Sequence, residues 1–431
     1  MNSRRLFLVL TVLVVLSLVL TACARKKETP TPVPTEAPTE VPTKAPTKAA
    51  PAPTPTPVPA AEFKYEDEWG VVKVAAGEPI KLGFAAGLSG AGIDVLGIDE
   101  QRGAELAVAD RGEVLGHKVE LVVEDALCSG EGGTAVANKF VADPQIVGVV
   151  GHMCSSSCIP ASDIYEANHY TMLSPSCTAV AFTARGLKAA NRVCWNDAIQ
   201  GPAAAKFVRE TLGYERVATI HDGSPYGEGL VEEFAKAFEA MGGKVVAKEA
   251  ISVGDTDMRP VLTKIKAEDP QLIYFGGFPA EGAFLASQRA DVGLEADFMG
   301  ADGIKAKDYI EAAGDAAEGT YASAANPAEA GPGMEDFLKK YQETYGEEPP
   351  APFHAQAYDA VMVFLNAVEQ VGKVDAEGNL YIGRKALNDA VRATRDYQGL
   401  SGLISCDDKG DCGTGTVAIS VVKEGKFVPA E

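Results

Sequence analysis

What this chain lacks narrows its function before any fold is considered. Apart from a short cluster near residue 25 it has no lysine- or arginine-rich run, and 60 acidic against 39 basic residues leave a formal net charge of −21. A surface of that sign repels phosphate backbones, so no nucleic acid is expected as a partner. No C-x-x-C pair occurs, and Cys154-x3-Cys158 stands without the second knuckle of a zinc site. The five histidines, His117, His152, His169, His221 and His354, never cluster at metal-ligand spacing. No Walker A or G-x-G-x-x-G loop is present, since the run from Gly90 has Val95 where the third glycine belongs. Metals and cofactors are therefore not expected. A nucleophile elbow, G-x-S-x-G, is missing too. His152 precedes Cys154 and Ser155 by two and three residues, a spacing that seldom lets a base face a nucleophile across a strand-to-helix turn. Catalysis is not expected.

The longest apolar run, Leu6 to Leu20, is too short to span a bilayer. Arg4 and Arg5 precede it, and Leu20-Thr21-Ala22-Cys23 follows, which resembles a bacterial lipoprotein signal covering residues 1–22. The implied product is lipidated on Cys23 and held at the outer face of the cell membrane. Residues 23–61 are rich in Pro and Thr and poor in large apolar side chains. Such a segment cannot bury enough surface to offset chain entropy and favours extended polyproline II. At about 3.1 Å per residue it reaches roughly 100 Å, a tether between membrane and body. Seven further cysteines, Cys128, Cys154, Cys158, Cys177, Cys194, Cys406 and Cys412, suit disulfides in an oxidising compartment, with one left over. Cys406 and Cys412 bracket the turn-former "DDKG", which predicts a disulfide-closed hairpin.

From Glu78 onward short strands alternate with amphipathic helices. "IKLGFAAG", "HKVELVVED" and "QIVGVVG" read as strands, and "DEQRGAELAVAD" and "TAVANKFVAD" as helices with apolar faces. A second series begins after Asp197 with "RVATIHDG", "QLIYFGG" and "DFMGADG" as strands. This alternation predicts two doubly wound parallel-sheet lobes of α/β class. Successive helices and a closing hairpin, "GTVAISVVKEGKFVP", fill the tail, so the lobes exchange chain more than once.

Ligands in open α/β sheets bind outside the strand C-termini. The loops there differ between lobes. "CSSSC" and "SPSCT" in the first offer hydroxyls and N–H groups at helix starts, while the second offers Tyr226, Phe278, Glu281 and Asp302. A carboxylate is favoured at a helix N-terminus and an ammonium at a buried carboxylate, so the asymmetry suits a zwitterion. Any one of these serines alone reads as an ordinary helix cap; their repetition on consecutive rims supports binding.

The motifs "GVVGHMCSSSCIPASDIYEAN", "TMLSPSCTAVAFTARG", "RVATIHDGSPYGEGL" and "FMGADGI" resemble the branched-chain amino-acid binding proteins of bacterial ABC importers. The resemblance implies a type I periplasmic binding fold, two lobes joined by three crossover strands and closing by hinge motion. Its boundaries are residues 78–196 and 325–401 for the first lobe and 197–324 and 402–431 for the second. It implies a ligand carboxylate at Ser155, Ser176 and Thr178, an ammonium at Thr178 and Asp302, and Tyr226 and Phe278 covering the ligand. Asp302 stands where the family usually has glutamate, and Phe278 where a tyrosine is common. Val95 or Leu96 replaces an aromatic that often lies against the substrate side chain, which opens the pocket to other apolar shapes. Cys128 and Cys154 match a family disulfide, Cys177 and Cys194 are a further candidate pair, and Cys158 is then free. The expected partners are an amino acid and ABC permease subunits, with the protein a monomer. An amide, urea or small carboxylate as ligand, or a sensory role for a signalling partner, are the alternatives.

Overall fold

The structure, a computed structural model, describes residues 63–90, 92–413 and 415–430. The signal segment, Cys23 and the Pro/Thr-rich tether lie outside the described residues.

Two sheets organise the body. The first has the order Glu113–Val114, His117–Asp125, Ile80–Ala86, Ile146–Gly151, Met172–Ser174, Ala190–Arg192 and is parallel beyond its first pair. The second runs Lys426–Pro429, Val417–Lys423, Tyr321–Ala325, Asp297–Gly300, Leu272–Gly276, Arg216–His221, Lys244–Ala250. Its first two pairings are antiparallel, the rest parallel. Every residue of Ile146–Gly151 is buried, as a strand covered on both faces requires. The covering is close because two strand residues lack side chains. A Cβ at Gly83 would meet the Phe140 ring at 2.9 Å, and one at Gly148 the Phe364 ring at 2.5 Å. Helices Gly130–Ala142 and His354–Val371, which carry those rings, can thus lie tightly on the sheet.

The chain passes between lobes three times. It leaves the first sheet after Ala190–Arg192 and enters helix Asp197–Lys206, which packs on helix Pro225–Ala240. It returns after Tyr321–Ala325 to helix His354–Val371, packed against helix Asp94–Arg111. It crosses again after the short pair Tyr397–Gly399 and Gly402–Ile404 to reach Val417–Lys423.

One part of the body starts earlier than the sequence pattern indicates. Val71–Val74 pairs antiparallel with Leu380–Gly383, and Asp67 accepts hydrogen bonds from the N–H groups of Lys385 (2.9 Å) and Ala386 (3.0 Å) at the start of helix Arg384–Arg392. A carboxylate at that position is favoured by the helix dipole.

The cysteines also divide differently. Cys128 is joined to Cys154 and Cys406 to Cys412, while Cys158, Cys177 and Cys194 are free and buried. The candidate pair Cys177–Cys194 is therefore not formed. Cys177 packs with Tyr165 and Phe182 under the first sheet and turns its thiol toward Ser155 Oγ (3.8 Å), whereas Cys194 packs with Trp195 and Phe353. The two side chains pack in different clusters, although both lie near Arg192.

Candidate functional site

Between the lobes lies a small cavity, partly open to solvent. Glu100, Ser155, Ser176 and Asp302 supply its polar lining; Leu96, Met153, Tyr226, Phe278 and Phe353 supply most of the rest.

The first wall is built around the turn after Ile146–Gly151. Helix Ser155–Asn168 opens on Cys154, whose side chain makes no capping bond; the Ser157 N–H turns back to the Cys154 carbonyl (3.0 Å), so the N–H groups of Ser155 and Ser156 are left for a ligand. The Cys128–Cys154 disulfide ties this turn to the neighbouring loop. Ser155 Oγ accepts from the Ala179 N–H (3.2 Å), which leaves its own proton free to donate. Ser176 behaves otherwise: its hydroxyl donates to the Met153 carbonyl (3.1 Å) and its N–H to Ser174 Oγ (3.3 Å). Thr178 Oγ1 is buried without a hydrogen-bond partner. The donors poised on this wall are thus Ser155 and the helix start, with Ser176 bracing the turn; Thr178 is not among the residues that line the cavity.

Arg192 holds the loop from Ser176 to Ala179 in place. Its fully buried guanidinium donates to the carbonyls of Cys177 (2.6 Å) and Ala179 (3.0 Å) and to Thr183 Oγ1, and pairs with Asp411 inside the Cys406–Cys412 turn. His152, behind the wall, bonds through Nε2 to the Tyr165 hydroxyl (2.8 Å) and is held neutral by burial, its pKa lowered to about 3.

The second wall carries Asp302, just after Asp297–Gly300. Its Oδ1 accepts from Gln200 Nε2 and from the Tyr226 hydroxyl (3.2 Å). Burial raises its pKa to about 6, with those two bonds and Lys305 opposing in part. Asp197, at the first crossover, is fully buried, and burial followed by the nearby Asp302 charge lifts it to about 8. Thr178 lies close enough to oppose that rise, yet neither Asp197 oxygen completes a hydrogen bond. Tyr226 and Phe278 meet with ring centroids 5.5 Å apart. Glu281 does not face the cavity; it accepts from the Gly254 N–H (2.7 Å) and so orders a loop.

Several lining residues escape sequence reasoning. Phe353 reaches the cavity because Asp99 accepts from the N–H groups of Phe353 (2.9 Å) and His354 (2.7 Å), more than 250 positions away. Glu100 had a local signal: it sits four residues before Ala104, on the apolar face of its helix. A second cavity of about 310 Å³ at the crossovers includes Glu329, which is already bonded to the Thr416 N–H (2.7 Å) and hydroxyl.

Two α/β lobes, three crossings and a small cavity with donors on one wall and a carboxylate on the other define a solute-binding fold. Solved structures share it. A leucine binding protein from Thermotoga maritima aligns with a TM-score of 0.75 at 30% identity, over 82% of this chain and 98% of that one. A branched-chain amino acid transporter substrate binding protein from Streptococcus pneumoniae, solved in complex with isoleucine, aligns with a TM-score of 0.74 at 27% identity, over 82% and 99%. Residues 79–426 match the periplasmic binding protein family, and the chain belongs to it. Among its relatives is the leucine-, isoleucine-, valine-, threonine-, and alanine-binding protein of Pseudomonas aeruginosa, 34% identical over 78% of this chain and 88% of that protein. The Leu/Ile/Val-binding protein of Escherichia coli K12 is 37% identical over 57% of this chain and 67% of its own. Membership places the folded body outside the cytoplasm.

Proposed function

We propose that this protein is a lipid-anchored solute-binding protein that captures an aliphatic amino acid, branched-chain in the first instance, and delivers it to the membrane subunits of an ABC importer. It performs no chemistry on its ligand and acts as a monomer. Cys23 carries the lipid, and the tether lets the body travel between solution and permease. The observation that carries the reading is the polarity of the cleft: Ser155 and a helix start on one wall, Asp302 on the other, with Leu96, Met153 and Phe353 lining the cavity. A zwitterion satisfies both walls at once, its carboxylate at the helix start and its ammonium at Asp302. Because such a ligand touches both lobes, it binds the closed arrangement differentially and shifts the population toward it. Calorimetric titration with leucine, isoleucine, valine, threonine and alanine tests this. Saturable heat with at least one supports the reading. No heat with any amino acid refutes it, and a thermal-shift panel of amides, urea and small carboxylates then identifies the alternative ligand.

A further inference from the structure

One polar group in the cleft is left without a role by the amino-acid reading. Glu100, on helix Asp94–Arg111, is fully buried, lines the same cavity as Ser155 and Asp302, and has no hydrogen-bond partner on either oxygen. Ser176 is near, but its hydroxyl proton goes to the Met153 carbonyl (3.1 Å). Asp99, its neighbour in sequence, is saturated by the N–H groups of Phe353 and His354 and by His354 Nδ1 (3.1 Å). The ionisable groups that act on Glu100 are Asp99 and the Cys177 thiol, with no cation among them. An unpaired buried carboxylate is strongly disfavoured and neutralises instead. Burial, reinforced by Asp99, accordingly pushes its pKa well above the carboxylate range, and Ser176 opposes this only in part. A neutral carboxyl keeps one O–H donor.

We propose that Glu100 is a ligand contact on the first lobe, its carboxyl O–H donating to the carboxylate of the bound amino acid alongside Ser155. The inference rests on the amino-acid reading of the cleft. Position decides the partner. Glu100 lies beside Ser176, at the end where helix Ser155–Asn168 begins, and Asp302 is not among the groups that act on it. The ammonium has its counter-ion on the opposite wall. An ionised Glu100 would repel the incoming carboxylate, whereas the neutral acid gives it a charge-assisted O–H···O⁻ bond.

The test is titration of L-leucine into the native protein, Glu100→Gln and Glu100→Leu, each in two buffers of different ionisation enthalpy. Gln retains a donor and keeps affinity within about threefold; Leu removes it and weakens binding roughly 10–100-fold, the range for a hydrogen bond to a charged group. The native protein releases no more proton on binding than Glu100→Gln does, Asp302 and Asp197 contributing alike to both. Proton release in excess of that variant, with Gln as damaging as Leu, would make Glu100 a counter-ion and overturn the proposal. So would native affinity in Glu100→Leu. If Glu100→Leu does not fold, Glu100→Gln and the proton count decide. Infrared spectroscopy of the ligand-free protein supplies a readout independent of binding: a protonated-carboxyl band missing in Glu100→Gln is expected, and its absence from the native protein refutes this inference alone. A native protein that takes up no amino acid refutes the function proposed above, and this contact with it.

Discussion

Arg192→Met removes the guanidinium that links the ligand-binding loop to the disulfide-closed turn. The buried Cys177 carbonyl loses its donor, while the Ala179 carbonyl keeps the Phe182 N–H (3.1 Å). An orphaned acceptor costs about 1–3 kcal/mol. Asp411 fares better, since it is 22% exposed and keeps the Thr183 hydroxyl (2.9 Å) and Asn196 Nδ2 (3.4 Å). The sum falls at the low end of the range for breaking a buried pair, about 3 kcal/mol. For a body of about 370 residues the unfolding entropy is near 0.8 kcal/mol per degree, so Tm drops by roughly 4 °C. Leucine affinity falls as well, because the loop bearing Thr178 loses its anchor. Differential scanning calorimetry with and without leucine reads both effects. A Tm within 1 °C of the native value would refute the reasoning, for it would mean that the buried Cys177 carbonyl finds another donor at no cost.

Asp302→Asn keeps the shape of the second wall and removes its charge. Leucine affinity should fall by about 30-fold or more, the effect of losing one partner of a buried charge pair, while ligand-free Tm stays level or rises; unchanged affinity would reject Asp302 as the ammonium counter-ion. Asp197 has its pKa raised to about 8, so the stability of its protonated state is fully present below the unfolded carboxyl value near 4 and is lost as pH rises from there to about 8. Ligand-free stability should therefore decline toward pH 8, most visibly above pH 6.5, where His152 no longer opposes it. Asp197→Asn should flatten this limb of a melting profile, and a native profile that rises toward pH 9 would contradict the assignment. His152 acts in the opposite sense: its lowered pKa contributes stability that is lost as pH falls below about 6.5. Replacing Cys406 and Cys412 together by serine opens a loop of separation 6 and should lower stability by about 2 kcal/mol. Urea unfolding measures it, and no change would show that the turn is held without the bond.

Much of this protein is legible along the chain. "QIVGVVG" declares a strand buried on both faces because an unbroken apolar run has no solvated side, and the structure buries all six residues of Ile146–Gly151. The contrast between the serine-rich and acidic rims is likewise local, since loop composition after each strand follows directly from sequence order. Cys406 and Cys412 could be paired from the turn between them. Cys177 and Cys194 could not be resolved, because closeness in sequence does not fix which neighbours each side chain packs against.

Sequence by itself determined the α/β alternation, the two series of rims and the serine-to-aspartate polarity between them, all of which follow from short-range pattern and order. Only the tertiary structure decided which groups meet. Asp99 draws the start of helix His354–Val371 onto the first lobe and so seats Phe353 in the cleft. Arg192 and Asp411, 219 residues apart, brace the loop of Thr178. Glu100 becomes an unpaired buried acid only in the folded body, where it lines the cleft with no partner on either oxygen. Burial and hydrogen-bond satisfaction are properties of neighbours in space, and those neighbours come from distant parts of the chain.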